Sequence, residues 1–319
     1  MSNESRLVGE RHQRVFRIAV LIPCLNEERT IGKVVRDFRA QLPDAQIIVF
    51  DNDSTDRTAE EARLSGAQVM TEKRRGKGFV VQAMFQRVDA DVYVLVDGDD
   101  TYAAEDVSRL VAPVIDEQAD MCVGSRITAG NKSEFHRLNL IGNRLYQSLV
   151  NAIFGTRLTD ILSGYRALNR RIVKGLPLFV TGFEVEAELT IKALERGYRI
   201  AEVPIDLRAR PSGSHSKIQV WRDGWRILWT IFALFRDYKP FTFFGGCGFA
   251  LLFLGLLLGL IPVYEYLTTG LVLRFPTAIL AVGLALSGLL LVLIGLILHT
   301  VNRRFQELEY YIRLLVERI

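Results

Sequence analysis

Asp97-Gly98-Asp99-Asp100 stands directly after the apolar run Val92-Tyr-Val-Leu-Val96. A β-branched run of that length reads as a buried strand, and open α/β sheets bind ligands at the carboxyl ends of their strands. Asp97 and Asp99 can place two hard oxygen ligands on one divalent cation, Mg²⁺ or Mn²⁺, with Gly98 letting the backbone bend sharply between them. A cation held in this way commonly serves a phosphate, most often a nucleotide diphosphate. A strand that simply ends in a solvated acidic turn would leave the same letters.

The elements that must position these residues follow from periodicity. Arg17–Pro23, Gln46–Phe50, Ala67–Thr71 and Val92–Val96 read as strands. Glu28–Gln41, Ser54–Leu64 (capped by Ser54 or Thr55) and a segment from the basic loop Lys73-Arg-Arg-Gly-Lys77-Gly78 to about Val88 read as helices. This βαβα rhythm implies parallel strands with crossover helices, a Rossmann-like layered α/β sheet covered on both faces. Further on, Met121–Ser125 and Arg199–Pro204 read as strands, and His136–Phe154 and Glu184–Arg196 as helices, the latter closed by Gly197.

Composition changes after residue 217. Residues 218–240 mix Trp221, Trp225 and Trp229 with Arg222, Arg226, Arg236 and Lys239, the makeup of an interfacial helix. Phe241–Leu267 and Phe275–Val301 each exceed the roughly 20 apolar residues that span a bilayer, and read as a transmembrane hairpin over 241–301. Cations flank both outer ends, Arg303 and Arg304 included, while the connection carries Arg274 with Glu265 nearby. The positive-inside rule then places residues 17–217 and the amphipathic tail 302–319 on the cytoplasmic side. Residues 1–16 form an N-terminal extension without the apolar core of a signal peptide. Cys24, Cys122 and Cys247 lack metal-ligand spacing and read as free thiols. A net charge of +4 does not suggest a nucleic-acid binder, and suits membrane lipids and a phosphorylated substrate better.

Every strand before the acidic cluster also ends in polar residues: Ile22-Pro23-Cys-Leu-Asn26-Glu27, Phe50-Asp51-Asn52-Asp53-Ser54, and Arg74-Arg75-Gly76-Lys77-Gly78. In order and spacing these, with Asp97-Gly-Asp99, resemble the nucleotide-sugar-binding half of family 2 (GT-A) glycosyltransferases. Gly124-Ser-Arg126, Asp160-Ile-Leu-Ser-Gly-Tyr-Arg166, Gly182-Phe-Glu184, Glu202-Val-Pro204 and Arg210…Gly213…Ser216-Lys217 extend the resemblance to the dolichyl-phosphate mannose synthase and bacterial polyprenyl-phosphate glycosyltransferase branch. The resemblance implies a base and ribose cradle at Pro23, Asn26 and Glu27, and a nucleobase contact at Asp51 beside Asn52. It implies a cation near the diphosphate at Lys77, a sugar or ribose contact as well as a metal contact at Asp97, and the principal metal ligand at Asp99. Asp53 stands where the family usually has Gly, and Thr101 where the mannose synthases carry Gln.

A membrane-anchored inverting transfer of a hexose from a UDP- or GDP-sugar to a polyprenyl phosphate is the expectation that follows. A lipid monophosphate is already largely anionic near neutral pH, its second pKa being roughly 6, so no strong general base is required. His12, His136, His215 and His299 are accordingly scattered. Arg126, Arg166, Arg210, Ser214, Ser216 and Lys217 are candidates to seat the acceptor phosphate, arginine for its bidentate grip. Arg126 is also a catalytic candidate, able to steady the leaving diphosphate. Asp160 reads equally well as an internal ion-pair partner, and Glu184 as a helix-start carboxylate or a site residue. Competing readings are a transferase acting on a lipid or polysaccharide hydroxyl, which would want a general base, a non-catalytic scaffold, and a nucleotidyltransferase. The tail admits contact with the catalytic domain, the membrane or a second copy in a homo-oligomer.

Overall fold

Strands that are apolar at nearly every position must be covered on both faces. The structure, a computed structural model describing residues 16–126, 137–208 and 220–316, meets that demand with one seven-stranded sheet. Its strands are β1 (Ile18–Cys24), β2 (Gln46–Asp51), β3 (Gln68–Thr71), β4 (Val92–Leu95), β5 (Met121–Ser125), β6 (Arg166–Asn169) and β7 (Ile200–Pro204), in the order β3-β2-β1-β4-β6-β5-β7. The first four pair in parallel as their rhythm implied. β6 does not: it runs antiparallel to both β4 and β5, whereas β5 and β7 pair in parallel. The parallel pairing expected of the first half therefore holds, and β6, which the sequence did not announce, makes the sheet mixed.

Helices α1 (Ile31–Gln41), α2 (Thr58–Leu64) and α4 (Val107–Ile115) cover one face, packing Ile31, Phe38, Ala62 and Leu110 on Val20, Ile22 and Val94. Helices α3 (Lys77–Arg87), α6 (Arg170–Gly175) and α7 (Val185–Glu195) cover the other, with Met84, Ile172 and Leu189 on Leu21, Tyr93 and Leu168. Residues 19 to 22 of β1 thus alternate between the two cores, as the two-residue period of a strand requires. Helix α5 (Arg137–Phe154) precedes β6.

Tyr165, at the entrance to β6, is fully buried between Phe38 and Tyr102, and its hydroxyl has no hydrogen-bond partner among the described residues. An unsatisfied buried hydroxyl opposes folding. Tyr165→Phe is therefore expected to leave stability unchanged or raise it by up to about 1 kcal/mol, read as the urea midpoint; a loss would mean the hydroxyl has a partner.

The chain divides into two compact units, Met1–Ile231 and Phe232–Ile319. Helix α8 (Val220–Tyr238) buries Ile227 and Ile231 and exposes Trp225 and Trp229. The second unit holds α9 (Pro240–Thr269) and α10 (Phe275–Val316), both long and apolar enough to cross a membrane. Gly270 ends α9 in the left-handed region (φ 72°), and the connection's Arg274 is paired with Glu265 at 3.1 Å. The two helices approach closely at paired glycines, since a Cβ on Gly248 would lie 2.6 Å from the Gly288 carbonyl oxygen. The tail expected as a separate helix from residue 302 is instead continuous with α10 to Val316, because nothing at Val301 breaks the helix.

Candidate active site

The carboxyl ends of β1, β2 and β4 bring the first three motifs together. Asn26 and Asp53 adopt left-handed conformations (φ 52° and 61°), which Asn and Asp tolerate best among non-glycine residues. An Asp therefore serves at position 53, where the family pattern has Gly. Ser54 and Thr55 do not cap α2, which starts at Thr58 with no side-chain cap. Instead the Asn26 N–H donates to Ser54 Oγ (2.9 Å), and the Thr55 N–H to Asn26 Oδ1 (2.8 Å), joining the two strand-end turns. The Glu27 N–H donates to Thr58 Oγ1 at 2.7 Å and its carboxylate accepts from Thr30, at the half-buried rim beside Pro23. Asn26 and Glu27 thus join the turns after β1 and β2, where the resemblance implies a base and ribose cradle.

Asp51, the last residue of β2, is buried. Its Oδ2 accepts from the Ser54 N–H at 3.4 Å, while Oδ1 has no partner among the described residues. A buried carboxylate oxygen without a donor fits an incoming ring N–H. Asn52 has a different job. Its side chain donates to the carbonyls of Glu72 and Arg74 and accepts from the Gly76 N–H, each at 2.8 Å, so it folds the basic loop rather than facing a ligand. Within that loop Arg74 grips Glu72, whose carboxyl is lowered to about 2 chiefly by that hydrogen bond.

Lys77, the first residue of α3, then reaches the acidic strand end. Its Nζ lies 2.6 Å from Asp97 Oδ1 and 2.6 Å from Glu186 Oε1. Burial alone would lower the Lys77 pKa, but attraction to Asp97 and Glu186 outweighs it and raises it. Asp99 Oδ1 accepts from the Thr101 hydroxyl (2.6 Å) and N–H (3.2 Å). Thr101 thus orients the neighbouring carboxylate, a role for a residue whose own place in a metal shell the sequence left open. Asp100 is neither solvated nor directed at the site: Lys33 and Arg208 bind its Oδ1 at 2.9 and 3.2 Å. Gly98 is needed for closeness, since a Cβ there would lie 2.5 Å from Cys24 Sγ.

Among the described residues no group of three His, Cys, Asp or Glu side chains converges as a metal cage. Asp97 and Asp99 nonetheless suit Mg²⁺ or Mn²⁺, which bind through one or two carboxylates and complete the shell with water and substrate phosphates. Each carboxylate has one oxygen fixed by an internal donor. Gly164 lies against the other oxygen of Asp97, where a Cβ would come within 2.7 Å. Gly164→Ala is expected to lower activity at least about tenfold, the scale on which misplaced catalytic groups act, with an unchanged melting temperature; wild-type turnover would show that this approach does not matter.

The second side of the site comes from β5, β7 and the segment entering β6. Arg126 binds Asp160 in a bidentate pair, Nε to Oδ2 at 2.6 Å and Nη2 to Oδ1 at 2.8 Å. Asp160 is fully buried, and its pKa, which burial would raise, is lowered overall by Arg126. Glu202 on β7 fixes the same turn, accepting from the Thr159 and Asp160 N–H groups at 2.8–2.9 Å. The Gly164 N–H donates to the buried Tyr102 hydroxyl at 3.1 Å, and a Cβ on Gly164 would lie 2.7 Å from Asp97 Oδ2 and 3.2 Å from Lys77 Nζ, so the turn that follows Asp160 meets the acidic strand end.

Arg166 departs from expectation. It is fully buried, donating to the carbonyls of Ser163 (2.8 Å) and Ile161 (2.7 Å) and to Thr190 Oγ1 (2.8 Å), and it holds the turn before β6 instead of presenting a cation to an acceptor. Glu184 sits just before α7, with Oε1 accepting from the Gly182 N–H at 3.2 Å and Oε2 buried without a partner among the described residues. Arg210, Ser214, Ser216 and Lys217 lie outside the described residues. The last described residues before them are held at the acidic strand end, Leu207 bridging to Tyr102 and the Arg208 N–H donating to the Thr101 carbonyl at 2.8 Å. Sequence reasoning set Glu186 beside Glu184 near the expected cleft and Glu202 in the Glu202-Val-Pro204 motif without giving either a role, and it noted Arg208 only as the start of a polar loop.

A parallel half-sheet with polar strand ends, paired carboxylates and cations at its carboxyl edge has the layout with which open α/β sheets bind ligands. A family model described as Glycosyl transferase family 2 matches residues 19–176. Glycosyltransferase AglJ of Haloferax volcanii is 32% identical over 299 residues, 92% of this chain and 98% of that protein. The protein belongs to glycosyl transferase family 2. A dolichyl-phosphate hexose transferase of the same organism is 36% identical over 194 residues, covering 60% of this chain and 83% of the relative. Among solved structures, glucosyl-3-phosphoglycerate synthase from Mycobacterium tuberculosis, in complex with Mn²⁺, uridine diphosphate and glucosyl-3-phosphoglycerate, aligns with a TM-score of 0.58 at 26% identity, covering 69% of this chain and 80% of that one.

Proposed function

We propose that the protein transfers a hexose, with inversion, from a UDP- or GDP-sugar to a polyprenyl phosphate, its catalytic unit on the cytoplasmic side of the plasma membrane. The observation that carries this reading is the pair Asp97 and Asp99, each with one oxygen fixed internally, in the same neighbourhood as Lys77 and Arg126. A Mg²⁺ or Mn²⁺ ion bound there would act as a Lewis acid toward the leaving diphosphate. Asp51 Oδ1 accepts the ring N–H of uracil or guanine, and Glu27 faces the ribose. Lys77 and Arg126 stabilise the departing charge through charge-assisted hydrogen bonds. Arg126, locked by Asp160, also offers the acceptor phosphate a cation from the described part of the chain.

The lipid acceptor is supported by the relative named a dolichyl-phosphate hexose transferase and by two helices long enough to cross a membrane. The cytoplasmic face is supported by the cations flanking both outer ends of the hairpin, together with the pairing of Arg274 to Glu265 in its loop. Purified protein with Mn²⁺ is expected to release UDP or GDP from one nucleotide hexose only when polyprenyl phosphate is supplied. Release with 3-phosphoglycerate alone would move the protein to a soluble phosphorylated acceptor. No release from any donor would overturn the assignment.

A further inference from the structure

Lys77 is clamped between two carboxylates at equal distance, and the two differ in setting. Asp97 is 28% exposed and belongs to the cation pair, whereas Glu186, 9% exposed, lies behind it in the first turn of α7. Glu186 is itself well fixed. Its carbonyl accepts from Thr190 Oγ1 at 2.8 Å, and that hydroxyl accepts from the immobile Arg166. The backbone of Lys77 is tied to the loop preceding α7, since the Gly78 N–H donates to the Thr181 carbonyl at 3.0 Å. Glu188, one turn side further, is engaged differently, binding the Phe179 and Val180 N–H groups and Lys192. Glu186 binds no backbone N–H groups of that kind: its carboxylate is ion-paired with Lys77, and its charge also acts on the buried Arg166.

We propose that Glu186 is a positioning residue that keeps the Lys77 ammonium at the diphosphate when Asp97 exchanges that ammonium for the divalent cation. The inference rests on the reading of Asp97 and Asp99 as the cation site. A doubly charged ion on Asp97 repels a neighbouring ammonium, and an ammonium on a flexible four-carbon stem moves unless something retains it. Glu186 supplies that restraint from the side away from the cation. Asp97 gives up one partner and gains another, Lys77 turns to the incoming phosphate oxygens, and the buried Glu186 is never left without a counter-charge.

The test is calorimetric binding of UDP, and separately of GDP, in the presence of Mn²⁺, to wild-type protein, Lys77→Gln, Glu186→Gln, Glu186→Asp and the Lys77→Gln/Glu186→Gln pair. Gln is isosteric with Glu and can hydrogen-bond Lys77, so the fold is expected to persist, which melting curves check. Glu186→Gln and Lys77→Gln should each weaken nucleotide binding about tenfold, the worth of one charge-assisted hydrogen bond, and the pair should be no weaker than Lys77→Gln. Glu186→Asp, one methylene short with its charge kept, should also bind less tightly than wild type. Multiplying single effects in the pair, or wild-type binding by Glu186→Asp beside a weakened Glu186→Gln, would overturn the proposal, the latter by showing that only the charge matters. If wild-type protein binds neither nucleotide with Mn²⁺, the cation-site reading itself falls and takes this inference with it.

Discussion

Asp97→Asn and Asp99→Asn are each expected to cut nucleotide release from the sugar donor by about a thousand-fold, with little change in melting temperature. Several kcal/mol of charge stabilisation disappear with a carboxylate that carries a Lewis-acid cation, and each 1.36 kcal/mol is a factor of ten in rate. The fold should tolerate both changes for reasons visible in the geometry. In Asp97→Asn the Lys77 ammonium keeps Glu186 as its counter-charge. In Asp99→Asn the amide oxygen still accepts from the Thr101 hydroxyl and N–H. Steady-state release with varied Mn²⁺, alongside a melting curve, separates the two effects. Turnover within tenfold of wild type in both variants would remove the carboxylates from the chemistry and return a scaffold reading to the front.

Asp160→Asn should be the most damaging single change to stability, by about 3–5 kcal/mol, the cost of breaking a buried ion pair from one side. Asp160 is fully buried and Arg126 is 17% exposed, so water can do little to replace the lost charge. Because the folded-state pKa of Asp160 is lowered, its contribution is fully present above the unfolded value of about 3.9 and is lost as pH falls through the folded value. The gap between wild type and Asp160→Asn in urea midpoint should therefore hold from pH 7 to about pH 5 and close as pH drops below about 4. A gap that is constant through pH 3 would show that the carboxylate is not acting as a charge. The double variant Arg126→Met/Asp160→Leu should recover most of the stability, since apolar substitutes for buried pairs often do, while activity stays lost if Arg126 serves the phosphates as proposed.

Much of the donor side was legible because a parallel strand buried on both faces has a plain sequence signature and ends in polar residues at the ligand edge. Asp51 ends β2 and Asp97 and Asp99 follow β4 at that edge, with Lys77 reaching Asp97 from the start of α3, and the left-handed Asp53 shows why the family's Gly is dispensable. Asn52 was harder to read. Its position beside Asp51 suggests a ligand contact, but whether an amide faces a base or three backbone groups depends on where residues 72–76 pass, a long-range fact. Strand β6 escaped for the opposite reason: it has four residues, opens on Arg166, and carries no alternation long enough to register. A buried arginine looks like a site residue until its carbonyl partners are known. The partners of Asp100 were equally out of sight, since Lys33 and Arg208, both distant in the chain, are what neutralise it.

The reversed β6 also bears on how the site comes into being as the chain folds. Strands β1 to β4 join through short crossovers, so the carboxylates of the donor side can be arranged by local pairing within the first hundred or so residues described. Leu95 meets Arg166 only after the chain has passed through α4, β5 and α5, and such distant pairings are the slow ones because loop closure precedes any reward. The turn carrying Asp160 and Gly164 is delivered by that late step. Donor-side order should thus precede acceptor-side order in refolding, with amides of β1 and β2 protected from exchange before those of β6. A chain interrupted before residue 166 would leave β4, with Asp97 and Asp99 just beyond it, at an open sheet edge that lacks its β6 neighbour.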